Sequence, residues 1–151
     1  MSDAETGDTF FLDTNILIYA VDQADLAKQQ IAVPLVREAI LSGRGIISIQ
    51  VVQEFLNVAR RKFERPMTVE ECRGHVQNVL EPLCSYFPSI TTIDRALGII
   101  EETGYHFYDA LILAAAIESG CRTLYSEDLQ HGRAIQGLTI VNPFHEPAQS
   151  A

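Results

Sequence analysis

Four short apolar runs, at residues 9–12, 46–49, 123–125 and 138–141, alternate with longer segments whose apolar residues recur every three or four positions. Ile16, Leu17 and Ala20 follow the first run at helical spacing. Ile31, Leu35, Val36, Ala39 and Ile40 mark a helix over about 25–41, which Gly43 stops and Pro34 interrupts. Val51, Val52, Phe55, Leu56 and Ala59 form one stripe of a helix over about 50–65. Thr68 and Glu71 have the spacing of a capping box that opens a helix to about residue 84, and Pro88 precedes an extended piece. Two further helices, about 90–103 and 107–119, end at Gly104 and Gly120. Apolar strands alternating with helices predict an α/β protein: a three-layer α/β/α sandwich with a mostly parallel central sheet. Such sheets bind ligands at the carboxyl ends of their strands.

A chain of 151 residues, 47% hydrophobic, suits one domain with its own core. The expected organisation is a disordered start over 1–8, a domain over 9–144 and a loose tail over 145–151. Cys72, Cys84 and Cys121 are odd in number and far apart, which predicts reduced thiols rather than a disulfide framework. The polar start carries no signal core, and the apolar stretch 110–117 is too short for a bilayer, so the expected location is the cytoplasm. The formal charge of −9 opposes binding to phosphate backbones, which normally takes an excess of Lys and Arg. Bound divalent cations reverse that sign locally if several acids form one site. An acidic surface also suits a basic protein partner.

Four carboxylates border apolar segments. Asp13 ends the run Phe10-Phe11-Leu12, and Glu54 lies three residues after Val51 and four before Val58. Asp109 opens the apolar helix that begins at Ala110, and Asp128 follows 123–125 by a short turn. Each alone has an ordinary explanation: Asp13 as a helix cap, Asp109 and Asp128 as acids at a helix N-terminus, Glu54 as a solvated residue. All four are expected to reach one end of the sheet. Two carboxylates ~4 Å apart repel by about 4 kcal/mol at an effective dielectric of 20, so such a cluster needs a cation, a shared proton or a function. Oxygen-only ligands select Mg²⁺ or Mn²⁺ over zinc.

The blocks Phe11-Leu12-Asp13-Thr14-Asn15-Ile16-Leu17, Val52-Gln53-Glu54-Phe55, Tyr108-Asp109-Ala110-Leu111-Ile112 and Ser126-Glu127-Asp128-Leu129 resemble, in that order, the PIN-domain family, and within it the VapC-like toxins. The resemblance implies a sheet of order 3-2-1-4-5 and Mg²⁺- or Mn²⁺-dependent endonucleolytic cleavage of RNA. It implies Asp13 as the central metal ligand, Asp109 and Asp128 completing the shell, and Glu54 binding metal or orienting water. Thr14, Asn15 and Ser126 would hold those acids in place. The fourth block is the loosest match, since Glu127 adjoins Asp128. A homodimer inhibited by a basic antitoxin peptide is also implied.

Arg60 and Arg61, with Lys62 and Arg65, are the candidate contacts to an RNA backbone, although a solvated helix end explains them equally. Arg133 is a weaker candidate. His106 and His131 flank acidic blocks and read first as surface or capping residues. A phosphatase of the haloacid dehalogenase type requires a second Asp two residues after the first, where this chain has Asn15, and a receiver domain requires a paired acidic cluster near the start. The remaining alternatives are a housekeeping RNA-processing or DNA nuclease and a non-catalytic RNA- or protein-binding module.

Overall fold

The computed structural model describes residues 7–146; the expectations for the first six residues and for 147–151 fall outside them. Strand β1 (Phe10–Leu12) is fully enclosed and turns at Asp13 into helix α1 (Thr14–Val21). Helix α2 (Leu26–Ser42) runs through Pro34, whose ring leaves the carbonyl of the exposed Gln30 without its helical partner, a position water can reach. Gly43, at φ 70°, ends that helix as the sequence predicts. Strand β2 (Gly45–Ser48) passes into helix α3 (Ile49–Arg61), so Ile49 belongs to the helix and not to the strand, and the helix stops four residues before Arg65.

The capping box of Thr68 and Glu71 forms and opens α4 (Val69–His75), which continues through a π-turn (Val76–Leu80) and a last short turn (Glu81–Leu83). Strand β3 (Cys84–Tyr86) lies before Pro88, not after it as expected. Its sequence, Cys-Ser-Tyr, has no apolar alternation because it is a half-buried edge strand. Helices α5 (Ile90–Thr103) and α6 (Phe107–Glu118) follow, the first closed by Gly104 at φ 75°. Strand β4 (Thr123–Tyr125) precedes a hairpin of β5 (Ala134–Ile135) and β6 (Leu138–Val141). The two-residue strand β5 escapes sequence reading because only Ile135 is buried; the turn itself places Gln136 at φ 50° and Gly137 at φ 87°, the primed geometry that suits a tight hairpin.

The sheet order is β3-β2-β1-β4-β6-β5, parallel throughout except for β5. With β6 in fifth place this is the order 3-2-1-4-5, extended by one antiparallel edge strand. Helices cover the sheet as a three-layer α/β/α sandwich: α2 packs on β2 and on α1, while α6 packs on β2, β4 and α5. Phe11, Leu12, Ile47, Leu124 and Ile140 from the strands meet Leu17, Phe55, Ile99 and Leu113 from the helices in one core. No helix among the described residues is long and apolar enough to cross a membrane. Cys72, Cys84 and Cys121 are free thiols.

Gly45 opens β2 directly beneath α2, where a Cβ would lie 2.2 Å from Ala39 Cβ and 2.7 Å from Ala39 Cα. Both sides of that contact are backbone-bound, so nothing can rotate away. Gly45→Ala is expected to destabilise the fold by about 1–3 kcal/mol, as overpacking does. Thermal denaturation of Gly45→Ala and of Gly45→Ala with Ala39→Gly checks this: recovery in the double variant supports the clash, and an unchanged melting temperature in the single variant contradicts it.

Candidate active site

Because β1, β2 and β4 are parallel, their carboxyl ends lie on one edge of the sheet, and α6 runs back toward β4 with its first turn on that edge. The cleft there, of about 290 Å³, is lined by Asp13, Glu54, Asp109 and Asp128, together with Thr14 and Asn15. All four acids predicted from the sequence are therefore brought together. Tyr108, named above only as part of the Asp109 block, lines the same cleft, as does Asn57, which was not read from the sequence. Asn57 lies three residues after Glu54, the spacing that puts two side chains on one helical face.

Asp13 is 7% exposed and caps α1, its Oδ1 accepting from Thr14 N at 2.7 Å while its Oδ2 accepts from Ser126 Oγ at 2.7 Å. The capping explanation is thus true, but one oxygen suffices for a cap and the burial remains to be explained. That burial raises its pKa from 3.8 to about 7, against the lowering effect of the Ser126 and Thr14 bonds; the charges of Asp128 and Glu54 raise it further. Burial also raises Asp109, which Asp128 and Glu54 push up and His106, exposed at the cap of α6, pulls down.

Each neighbouring acid is held by a short polar residue. Thr14 Oγ1 donates to Glu54 Oε1 at 2.6 Å, and Asn15 Nδ2 donates to Asp128 Oδ2 at 3.1 Å. Asn15 Oδ1 accepts from Glu127 N at 3.2 Å, and Ser126 Oγ accepts from Asp128 N at 3.3 Å, fixing the loop after β4. Glu127 turns the other way: Tyr19 OH donates to its Oε1 at 2.6 Å, and Lys28 pairs with its Oε2. Of the two adjacent acids, Asp128 lies in the cleft and Glu127 is held in an ion pair.

Gln50, in the first turn of α3, was also missed, though it stands four residues before Glu54. Its Nε2 donates to Glu54 Oε2 at 3.3 Å and to the Tyr108 carbonyl at 3.1 Å. Its Oε1 is buried with no hydrogen-bond partner, a state that costs about 1–3 kcal/mol. Of the buried polar residues among those described, Asp13, Thr14, Gln50 and Ser126 all belong to this network.

The basic candidates lie outside the cleft. Arg60 Nη1 donates to the Met67 carbonyl at 2.8 Å, whereas Arg61 lies seven residues after Glu54, about 10 Å along the same helical face. Arg65 lines a separate depression with Asp22 and Glu71. Arg133 lies over the Tyr105 ring, 5.4 Å from its centroid. His131 stacks on His145 with ring centroids 4.0 Å apart and accepts from Asn142 N.

No group of three or more His, Cys, Asp or Glu side chains among the described residues is set to enclose a metal ion as it stands. The donor set nevertheless fits Mg²⁺, which keeps several waters and takes only one or two carboxylates directly. It consists of oxygens alone, and among them the buried Asp13 carboxyl is one whose charged form a cation would favour.

The buried carboxyl makes stability depend on pH. Folded Asp13 keeps its proton up to about pH 7, whereas the unfolded chain releases it near 3.8. Stability in chelator therefore falls as pH rises through that window and levels off above it, by a total on the order of 4 kcal/mol from this group. Asp13→Asn retains the cap and removes the charge. Its melting temperature is expected to exceed the wild type's by several degrees at pH 8 and to match it near pH 4. A variant that melts lower at both pH values would contradict the assignment.

Residues 10–135 match the PIN domain family. None of the curated proteins matches the chain. Among solved structures, the fold is similar to a chain of a toxin-antitoxin complex from Klebsiella pneumoniae, at 19% identity and a TM-score of 0.64, covering 91% of this chain and 100% of that one. It is also similar to FitAcB from Neisseria gonorrhoeae (15% identity, TM-score 0.62, 91% and 100% covered). A third similar structure is VapBC2 from Rickettsia felis bound to a DNA fragment from their promoter (18%, 0.57, 87% and 96%). The family match spans most of the chain, its acids line the cleft at the sheet's carboxyl edge, and the fold is shared with these structures: the chain belongs to the PIN domain family of nucleases.

Proposed function

We propose that this protein is a Mg²⁺- or Mn²⁺-dependent endoribonuclease and the toxin of a toxin–antitoxin pair. The observation that carries the reading is the convergence of four acids from four separate segments on one cleft, with Asp13 buried at its floor. Asp13, Asp109 and Asp128 would hold the cation, directly or through its coordinated waters, and Glu54 would bind it or orient a water. Such a cation, when bound, would lower the pKa of a water molecule and offset the charge of the phosphoryl oxygens. The chain's own side chains do the positioning. Ser126 and the Thr14 amide fix Asp13, Thr14 Oγ1 and Gln50 fix Glu54, and Asn15 fixes Asp128. No protein nucleophile is required.

Arg61, on the Glu54 face of α3, is better placed than Arg60 to meet an RNA backbone, since Arg60 is engaged by the Met67 carbonyl. The toxin reading draws on the resemblance to VapC-like toxins and on the toxin-antitoxin structures that share the fold. The charge of −9 suits a basic antitoxin. A homodimer working in the cytoplasm, with residues 9–144 as the nuclease unit, completes the proposal.

The test is cleavage of labelled single-stranded RNA and DNA of matched sequence in Mg²⁺, Mn²⁺ or chelator. Wild type is expected to cut RNA only with metal; Asp13→Asn, Asp109→Asn and Asp128→Asn fall to background, and Glu127→Gln still cuts. Arg61→Glu weakens RNA binding and reduces the slope of log affinity against log salt by about 0.7, whereas Arg60→Glu changes it less. Equal behaviour of wild type and the three Asn variants contradicts the nuclease reading, and cleavage of DNA alone moves it to a DNA nuclease.

A further inference from the structure

Gln50 joins the two helices that carry Glu54 and Asp109. Its amide nitrogen reaches Glu54 Oε2 on α3 at 3.3 Å and the Tyr108 carbonyl in the first turn of α6 at 3.1 Å, one residue before Asp109. Both partners are acceptors only, the Glu54 carboxylate when ionised, so the amide cannot be turned over without setting its oxygen against a carboxylate and a carbonyl. The oxygen is left buried and unpaired on the other side. A leucine or methionine of similar volume would fill the space without that defect, so packing alone does not account for an amide here. Thr14 Oγ1 holds the remaining Glu54 oxygen at 2.6 Å. Glu54 is thus pinned at both oxygens, from α1 and from its own helix.

We propose that Gln50 is a positioning residue that orients Glu54 and sets the spacing between the helices bearing Glu54 and Asp109, and so makes the acidic cleft a tight site for a divalent cation. The proposal rests on the nuclease reading above. Gln50 does not line the cleft, so it acts through Glu54 and not on substrate.

Calorimetric titration with Mn²⁺, alongside melting temperature in chelator, tests it on wild type, Gln50→Leu, Glu54→Gln and the double variant. Gln50→Leu is expected to weaken Mn²⁺ binding by about 10–100-fold, the usual effect of losing an outer partner. Its melting temperature should hold or rise, because the orphaned oxygen goes with the amide. In the Glu54→Gln background the same change should add little, since residues acting through one another are not additive. A Gln50→Leu protein that melts lower but binds Mn²⁺ as tightly as wild type overturns the proposal and leaves Gln50 as a helix tie. Full additivity in the double variant overturns the route through Glu54. If Gln50→Leu fails to fold, Gln50→Asn, one methylene shorter, carries the same comparison: weakened Mn²⁺ binding supports the proposal and unchanged binding rejects it. Wild type that binds no Mn²⁺ overturns this proposal and the nuclease reading together, whereas wild type that binds and cuts with Gln50→Leu unchanged overturns Gln50 alone.

Discussion

The enclosure of the Asp13 carboxylate at the end of β1 is the constraint around which the carboxyl edge of the sheet is built. Taking a carboxylate out of water is expensive unless donors or a cation compensate. Two donors do so in part: the amide of Thr14, available because α1 begins there, and the hydroxyl of Ser126, available because β4 ends opposite β1. The register that pairs Leu12 with Tyr125 is therefore also what sets Ser126 against Asp13. Strand pairing, helix capping and site assembly are here one event.

Three consecutive residues distribute that order. Asp13 bonds to the segment after β4, Thr14 to Glu54 on α3, and Asn15 to Asp128 and to the backbone of Glu127. Behind them Lys28 sits over the rings of Tyr19 and Phe144, at 4.7 and 5.7 Å from their centroids, and neutralises Glu127. Of two adjacent acids, one is thereby paired away from the cleft. The other adds to the negative field inside it. The net acidity of the chain and the mixed signs on its surface are compatible with an anionic substrate only if that field is reversed by bound cations.

Much of this was legible in the sequence because it lies in local spacing. The capping box at Thr68, the glycine stops at Gly43 and Gly104, and the acids at the strand and helix ends follow rules that act within one turn. The expected order of strands also holds, with β5 added outside. What escaped was short or set by distant partners. Strand β3 is a three-residue edge with no apolar pattern, and β5 has two residues. The part played by Gln50 depends on a carbonyl 58 residues away, and the separation of Glu127 from Asp128 depends on Lys28 and Tyr19. No window along the chain contains those contacts.

Asp13 is a buried carboxyl whose surroundings raise its pKa to about 7, and a cation bound in the cleft would favour its charged form. Carbon-13 NMR of the side-chain carboxyls, with Asp13→Asn to identify the resonance, reads this directly. In chelator Asp13 should titrate near 7, and saturating Mg²⁺ should move its midpoint well down toward the ordinary range. A midpoint near 4 that ignores Mg²⁺ would mean that the carboxyl is neither perturbed by its surroundings nor in contact with a bound cation.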